Sequence, residues 1–235
     1  MHTRSSTKGG TILYDTLKTA SKITDRVLVG ISGGKDSVVT LDLCRRFFPK
    51  VTGFFMYLVK NLEFQEIALR HYERRYGIEI KRIPHFMLSE WLRYGTLRPP
   101  DFDVPIISTK ETYDYVRSLS GTWWIACGER ISDSIVRRAM IKHSGTIDDL
   151  RGRIYPVAYW RKQEILYYVK KNRLRLSGEN SALGFSFRSL MPKDLQAIKE
   201  RFPQDYEKIR EWFPLIEASR LQNEYYGGTA KNEEK

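Results

Sequence analysis

Cysteine is scarce in this sequence. Its two cysteines, Cys44 and Cys127, lie far apart and form no close pair. A disulfide framework, a structural zinc site and a four-cysteine iron–sulfur cluster each need more thiols or a close cysteine pair. We therefore expect none of the three, and we expect a reducing, cytoplasmic compartment.

Long apolar runs are also lacking. No stretch approaches the ~20 apolar residues that a membrane-spanning helix needs. The first eight residues have no apolar core, so they do not form a secretory signal. The 235 residues, of which 41% are hydrophobic and 29% charged, suit one soluble domain with appendages that works without a membrane.

Acidic residues are fewer than basic ones. The sequence has 28 aspartates and glutamates and 40 lysines and arginines, which gives a net charge of +12. A positive field attracts polyanions, so nucleotides, nucleic acid and acidic partner proteins all fit, as does a merely solubilising surface. Cations are densest in two stretches, one with Arg70, Arg74, Arg75, Lys81 and Arg82 and one with Arg161, Lys162, Lys170, Lys171, Arg173 and Arg175. We expect the second stretch to bind a polyanion outside any nucleotide pocket. The oligomeric state is left open.

Short apolar runs alternate with amphipathic stretches along most of the chain. The predicted strands cover residues 26–31, 52–58, 78–83, 123–127 and 153–157, and the predicted helices 36–48, 63–76, 109–119, 131–141 and 160–172. This alternation predicts an α/β fold with a parallel five-stranded sheet and helices on both faces. After residue 191 the pattern is helical only, with helices predicted over 193–201 and 204–223.

A glycine-rich loop, Ser32-Gly33-Gly34-Lys35-Asp36-Ser37, joins the first predicted strand to the first predicted helix. Its glycines let the backbone approach an anion, and the free amides of the helix N-terminus favour phosphate. Lys35 adds a mobile positive charge, and the two serine hydroxyls can donate further hydrogen bonds. The loop is not a Walker A motif, because Val29 replaces its first glycine and Asp36 follows the lysine.

The order Ser-Gly-Gly-Lys-Asp-Ser resembles the PP-loop of the ATP pyrophosphatase superfamily, whose members cleave ATP between its α and β phosphates. Two later segments resemble the phosphoadenosine phosphosulfate (PAPS) reductase-like branch. One is the pattern G-x-R-x-x-[DE]-S-x-x-R-R, carried by Gly128, Arg130, Asp133, Ser134, Arg137 and Arg138. The other runs from Tyr155 through Trp160 to Tyr168, and residues 62–66 match more loosely. The resemblance covers about residues 25–170.

This resemblance implies the members of a nucleotide site. The six loop residues from Ser32 to Ser37 would hold the phosphates, Met56 and Tyr57 would meet the adenine, and Gly128 and Arg130 would close over the nucleotide. Lys35 and Asp36 are the implied catalytic residues, and Asp36 would orient Mg²⁺ or cap the helix. The implied cofactors are ATP, or a related adenine nucleotide, and Mg²⁺.

Several residues of these segments also fit structural roles. Arg137 and Arg138 fit a solvated helix face, the aromatic residues Tyr155, Trp160 and Tyr168 fit core packing, and Cys127 fits an inert buried thiol.

The chain departs from true PAPS reductases, because it lacks their C-terminal Glu-Cys-Gly-Leu-His segment and has no cysteine after Cys127. Three functions stay open. The expected one is ATP cleavage that adenylylates an acceptor. The second is a sulfonucleotide reductase that uses Cys127 or Cys44. The third is a non-catalytic subunit that acts with nucleic acid or a partner protein, as in DNA modification.

The expected organisation follows from these patterns. Residues 1–10 are predicted to form a flexible leader and residues 11–190 a PP-loop nucleotide-binding α/β domain. Residues 191–226 are predicted to form a helical C-terminal extension, and residues 227–235 a flexible tail.

Overall fold

The computed structural model describes residues 14–218 and residue 221. The predicted leader and tail, and the end of the C-terminal extension, lie outside these residues. No helix within them is both long and apolar enough to cross a membrane.

One six-stranded sheet, with strand order β3-β2-β1-β4-β6-β5, forms the centre of the fold. Its parallel strands are β1 (Arg26–Gly30), β2 (Lys50–Tyr57), β3 (Ile80–Pro84), β4 (Ile125–Ala126) and β6 (Arg153–Ile154). The edge strand β5 (Ile147–Asp148) pairs antiparallel with β6. The α/β prediction is confirmed, and the strand count is corrected from five to six. A two-residue strand carries no periodic signal, which is why the sequence did not reveal β5.

Helices cover both faces of this sheet and continue beyond it. They are α1 (Asp15–Ile23), α2 (Lys35–Phe47), α3 (Glu63–Tyr76), α4 (Phe86–Tyr94), α5 (Thr109–Ser120), α6 (Ile135–Ser144), α7 (Lys162–Lys171), α8 (Gly178–Leu183), α9 (Pro192–Arg201) and α10 (Pro203–Trp212). The sequence analysis missed α1, α4 and α8, which have nine, nine and six residues and thus too few turns for a clear period.

Two helix boundaries differ from prediction for local reasons. The helix predicted over 131–141 begins at Ile135, because the Ser134 side chain caps it by accepting a hydrogen bond from the Arg137 amide. The helix predicted over 204–223 ends at Trp212, since Pro214 disfavours helical backbone at Phe213.

The C-terminal helices pack against the sheet domain through a second apolar core. Leu195, Ile198, Tyr206 and Ile209 are buried there together with Phe64 of α3 and other residues that follow β2. The Asp205 carboxylate also accepts hydrogen bonds from the Glu63 and Phe64 amides, at 2.8 and 2.9 Å, and so caps α3 from a distant part of the chain. The boundary at residue 190 stays a prediction.

The central strand β1 is buried on both faces, with Val27, Leu28 and Val29 at most 1% exposed. A continuous apolar strand of this kind is typical of parallel sheets covered by helices. Because β1, β2, β4 and β6 run in parallel, the segments that follow them meet at one edge of the sheet. Ligands of such folds bind at that edge.

Candidate functional site

The loop after β1 is held closed by its own side chains. Gly33 has a φ of +74°, in the left-handed region that favours glycine. The Ser37 hydroxyl donates to the Gly34 carbonyl at 3.0 Å and accepts from the Ser32 amide at 3.1 Å. Ser37 is therefore buried inside the loop, whereas Ser32 is exposed above it. The assignment of these residues to phosphate binding stays a prediction.

A chain of ion pairs runs outward from the loop. The Lys35 ammonium lies 2.7 Å from Oδ2 of Asp36, and Oδ1 of Asp36 lies 3.0 Å from Nε of Arg130. The Arg130 guanidinium also forms an ion pair with the Asp133 carboxylate at 2.9 Å, and the Arg137 guanidinium lies 3.7 Å from the same carboxylate. Both oxygens of Asp36 thus lie within ion-pair distance of a cation, and the contact with Lys35 is also a hydrogen bond.

Arg130 is the most buried cation of this chain of ion pairs, with 7% of its surface exposed. Its Nη1 atom is shielded from solvent and has no hydrogen-bond partner among the described residues. A buried donor without an acceptor costs about 1–3 kcal/mol, more when it is charged. An anion bound at the loop is one acceptor that removes this cost.

Gly128 brings the end of β4 against the loop. A β-carbon at this position would lie 2.9 Å from the carbonyl carbon of Asp36 and from the Ser37 nitrogen. Only glycine allows this approach, which in turn sets Arg130 beside Asp36. The two residues that resemblance placed over the nucleotide, Gly128 and Arg130, are therefore both next to the loop.

Met56 and Tyr57 lie at the end of the neighbouring strand. β2 pairs with β1 only as far as Phe54, while its pairing with β3 continues to Tyr57. The backbone of Met56 and Tyr57 thus extends past the end of β1, on the side where the loop begins. Their predicted contact with adenine remains a prediction.

Residues 177–186, here called the cover segment, lie over the loop. The Ser177 amide donates to the Gly33 carbonyl at 3.1 Å, and the Asn180 side-chain amide donates to the hydroxyls of Ser177 and Ser186 at 2.9 and 3.0 Å. A β-carbon on Gly34 would lie 3.3 Å from the side-chain oxygens of Asn180 and Ser186. The sequence analysis missed these polar groups, because 144 positions separate Ser177 from Gly33 and no local pattern joins them.

The cover segment also carries a buried acid. Glu179 is 0% exposed, and burial raises the pKa of its carboxyl from 4.5 to about 7, outweighing the nearby polar groups of Ser177 and Gln65. A carboxyl with a raised pKa stabilises the fold below its unfolded pKa. This contribution is lost as the pH rises from about 4.5 to about 7.

Replacing Glu179 by glutamine is expected to remove this loss, because the amide stays neutral. The difference in free energy of unfolding, variant minus parent, should increase by up to about 3 kcal/mol from pH 5 to pH 8. Urea denaturation at several pH values measures the difference. Glu90→Gln, at an exposed position of α4, is the control. Parallel pH curves for parent and Glu179→Gln would contradict the prediction.

The aromatic residues of the later segments belong to the core. Tyr155, Trp160 and Tyr168 are at most 3% exposed, and the Tyr168 hydroxyl donates to Asp42 at 2.6 Å. Arg138, in contrast, is exposed and donates to the Ile131 carbonyl. These residues support the sheet and α6 and do not enter the loop.

Neither cysteine is activated. Cys44 is fully buried in the main core, and burial raises the pKa of its thiol. Cys127 follows β4 and lies 3.2 Å from the Arg153 guanidinium, yet burial raises the pKa of its thiol to about 11. A nucleophilic cysteine needs a lowered pKa, so the environment of Cys127 disfavours that role.

Comparison with known proteins places the chain among PP-loop folds. The family model for the phosphoadenosine phosphosulfate reductase domain matches residues 26–178. PAPS reductase from Candida auris, solved as a phosphate complex, is 15% identical with a TM-score of 0.51, over 75% of this chain and 86% of that one. No curated protein sequence matches the chain.

Two further solved structures are similar at lower scores. NH3-dependent NAD synthetase from Campylobacter jejuni is 19% identical, with a TM-score of 0.49 over 91% of this chain and 92% of that one. The U34-tRNA thiolase NcsA from Methanococcus maripaludis, solved with its [4Fe-4S] cluster, is 17% identical, with a TM-score of 0.45 over 86% and 78%.

The expected cofactor set, ATP and Mg²⁺ without an iron–sulfur cluster, is corrected by the last of these structures. That thiolase carries a [4Fe-4S] cluster, so the exclusion of such a cluster is wrong. The expectation counted cysteine thiolates alone, whereas histidine also serves as a ligand in some iron–sulfur clusters. Within residues 14–218 and 221, no three His, Cys, Asp or Glu side chains are grouped to hold a metal ion.

Proposed function

Because the chain belongs to the phosphoadenosine phosphosulfate reductase domain family, we propose that it binds ATP at the loop of residues 32–37 and cleaves it between the α and β phosphates to adenylylate an acceptor. The observation that carries this proposal is Arg130, a buried guanidinium with an unpartnered nitrogen beside the loop. Free amides at the start of α2 and the Lys35 ammonium supply the rest of a phosphate site.

The proposed reaction balances without a redox step. An acceptor oxygen attacks the α-phosphorus, a new bond forms between them, and the bond from that phosphorus to the bridging oxygen breaks. Its electron pair leaves with pyrophosphate. If the acceptor is a hydroxyl, its proton passes to solvent, and a carboxylate acceptor has no proton to lose. The products are the adenylylated acceptor and pyrophosphate.

The roles of the side chains follow from charge. Negative charge grows on the oxygen between the phosphates as the bond breaks, so donors fixed near that oxygen accelerate the reaction. Lys35 is the only cation inside the six-residue loop, and Asp36 restrains it together with Arg130. We assign Lys35 to the departing pyrophosphate and Arg130 to the remaining phosphate charge.

Pyrophosphate release from ATP across a panel of acceptors tests the proposal. The panel contains carboxylic acids, DNA and tRNA, and nucleotide binding is measured separately by calorimetry. Release that depends on one acceptor supports adenylylation. Binding of ATP without release for any acceptor would instead favour a non-catalytic subunit, and no binding of ATP would overturn the site.

The competing reaction, reduction of a sulfonucleotide, depends on a cysteine. Since the pKa of the Cys127 thiol is raised to about 11, we expect Cys127→Ser to keep pyrophosphate release within about twofold of the parent. The same variant is assayed for reduction of PAPS with a dithiol as the reductant. Loss of a PAPS-reducing activity that the parent shows would restore the reductase interpretation.

A further inference from the structure

We propose that a surface formed by Arg74, Arg75, Lys170, Lys171, Arg173 and Arg175, here called the basic track, binds the sugar–phosphate backbone of a nucleic acid. The track is separate from the phosphate loop, and this inference does not depend on the proposed reaction.

The structure separates the two cation-rich stretches of the sequence. In the first stretch, Arg70 pairs with Glu63, Lys81 with Glu79, and Arg82 with both Glu66 and Glu73. The positive charges of these three residues are therefore largely neutralised. Arg74 and Arg75 remain, and neither forms an ion pair with a described acidic side chain.

Those two arginines lie at the end of α3, where the second stretch joins them. The Arg75 guanidinium donates to the carbonyls of Arg173 and Asn172, at 3.0 and 2.9 Å. The Tyr72 hydroxyl donates to the Arg175 carbonyl at 2.8 Å. Cations that lie about 100 positions apart in sequence thus form one continuous surface.

The track runs along α2 towards the loop. Asn172 is held at the end of α2 by a 2.8 Å hydrogen bond from Arg46, and Ser177 is held at its beginning by Gly33. The segment from Asn172 to Ser177, which begins with a turn in which Arg173 has a φ of +50°, therefore connects points near the two ends of α2. Arg173 and Arg175 lie on this segment.

Electrostatic crowding along the track is visible at His71. Besides burial, the charges of Arg175, Arg75 and Arg74 lower the pKa of this imidazole. Asp42 of α2, an acid on the same side of the fold, is buried and already binds Arg46, Tyr76 and Tyr168. Cations at helix C-termini are partly explained by the helix dipole, but Arg173 and Arg175 lie beyond the end of α7. Their mutual repulsion is relieved by a polyanion.

The chemistry of the track favours nucleic acid over an acidic protein. Arginine binds phosphate through paired donors, and four of the six cations are arginines. Tyr167 is 54% exposed and lies 5.7 Å from the Lys171 ammonium, which provides a ring on which a base can stack. Protein interfaces are centred on buried apolar anchors, whereas this surface is dominated by charge.

The test is binding of labelled single-stranded RNA, single-stranded DNA and duplex DNA, followed by fluorescence anisotropy across a salt series. The variant carries Lys170→Gln, Lys171→Gln and Arg173→Gln. The control carries Lys110→Gln, Lys142→Gln and Lys193→Gln, which remove the same charge from exposed positions on α5, α6 and α9. ATP binding by all three proteins shows whether the loop is intact.

We expect the parent to bind with a Kd on the order of 10⁻⁴–10⁻⁶ M at physiological salt. The track variant should bind at least about tenfold more weakly at low salt, with a salt slope shallower by about 2, while the control resembles the parent. Equal binding by track variant and control, or no binding by the parent at low salt, overturns the proposal. Displacement of the oligonucleotide by an equal charge concentration of polyglutamate would reassign the surface to acidic proteins.

Discussion

Lys35→Ala is expected to lower the rate of pyrophosphate release by about 10²–10³-fold, as the loss of one transition-state donor does in other enzymes. The side chain is half-buried at the start of α2, and it forms an ion pair with the neighbouring Asp36 carboxylate. An ion pair of this kind contributes at most about 1 kcal/mol, so the fold should be retained. Steady-state kinetics and circular dichroism on the same preparation separate the two effects.

Lys50→Ala is the matched control for this variant. Lys50 begins β2 at the opposite edge of the sheet, and its ammonium lies 3.7 Å from the Asp25 carboxylate. The variant therefore loses the same charge and a comparable ion pair far from the loop, and its rate should equal that of the parent. Equal rates for Lys35→Ala and the parent would remove Lys35 from the proposed reaction.

Gly33→Ala is expected to disrupt both the loop and its cover. The residue has a φ of +74°, and an added β-carbon would lie 2.6 Å from Cβ and Oγ of Ser177. The left-handed backbone costs about 1–2 kcal/mol for alanine, and the overlap costs about 1–3 kcal/mol more. We expect the free energy of unfolding to fall by about 2–5 kcal/mol, with loss of most nucleotide affinity because the cover segment is displaced.

Gly77→Ala isolates the backbone part of this effect. Gly77 ends α3 with a φ of +60°, and no atom lies within 4 Å of an added β-carbon. Its loss of stability should therefore be only about 1–2 kcal/mol, with ATP affinity unchanged. Urea denaturation and ATP calorimetry on both variants give the comparison. If the two substitutions had the same effect on ATP affinity, the contact between Ser177 and the loop would not contribute to nucleotide binding.

Much of the α/β core was predictable from sequence because its signals are local. The apolar run of β1, the glycines after it and the periodic α2 follow one another within about two dozen residues. The strands β2, β3, β4 and β6 were found for the same reason, although β4 and β6 are shorter than predicted. The short elements β5, α1, α4 and α8 were missed, because so few residues show no clear period.

The candidate site also contains residues that the sequence indicated and residues that it did not. Resemblance placed Gly128 and Arg130 near the nucleotide, and the structure brings both to the loop. The sequence did not indicate Ser177, Asn180 or Ser186, because polar residues after a helix are common in surface loops. It also did not indicate which cations are neutralised, since Arg82 meets Glu66 only when β3 lies beside α3.

The sequence by itself determined the alternation of strands and helices, the glycine-rich loop after β1 and the excess of positive charge. These depend on neighbours along the chain, whose conformational preferences and periodicity act over a few residues. Only the tertiary structure decided which side chains lie over the loop, which arginine is buried with an unpartnered nitrogen, and which cations stay unpaired. Those properties depend on contacts between residues about 100 or more positions apart, and such contacts exist only once the sheet and its helices have packed.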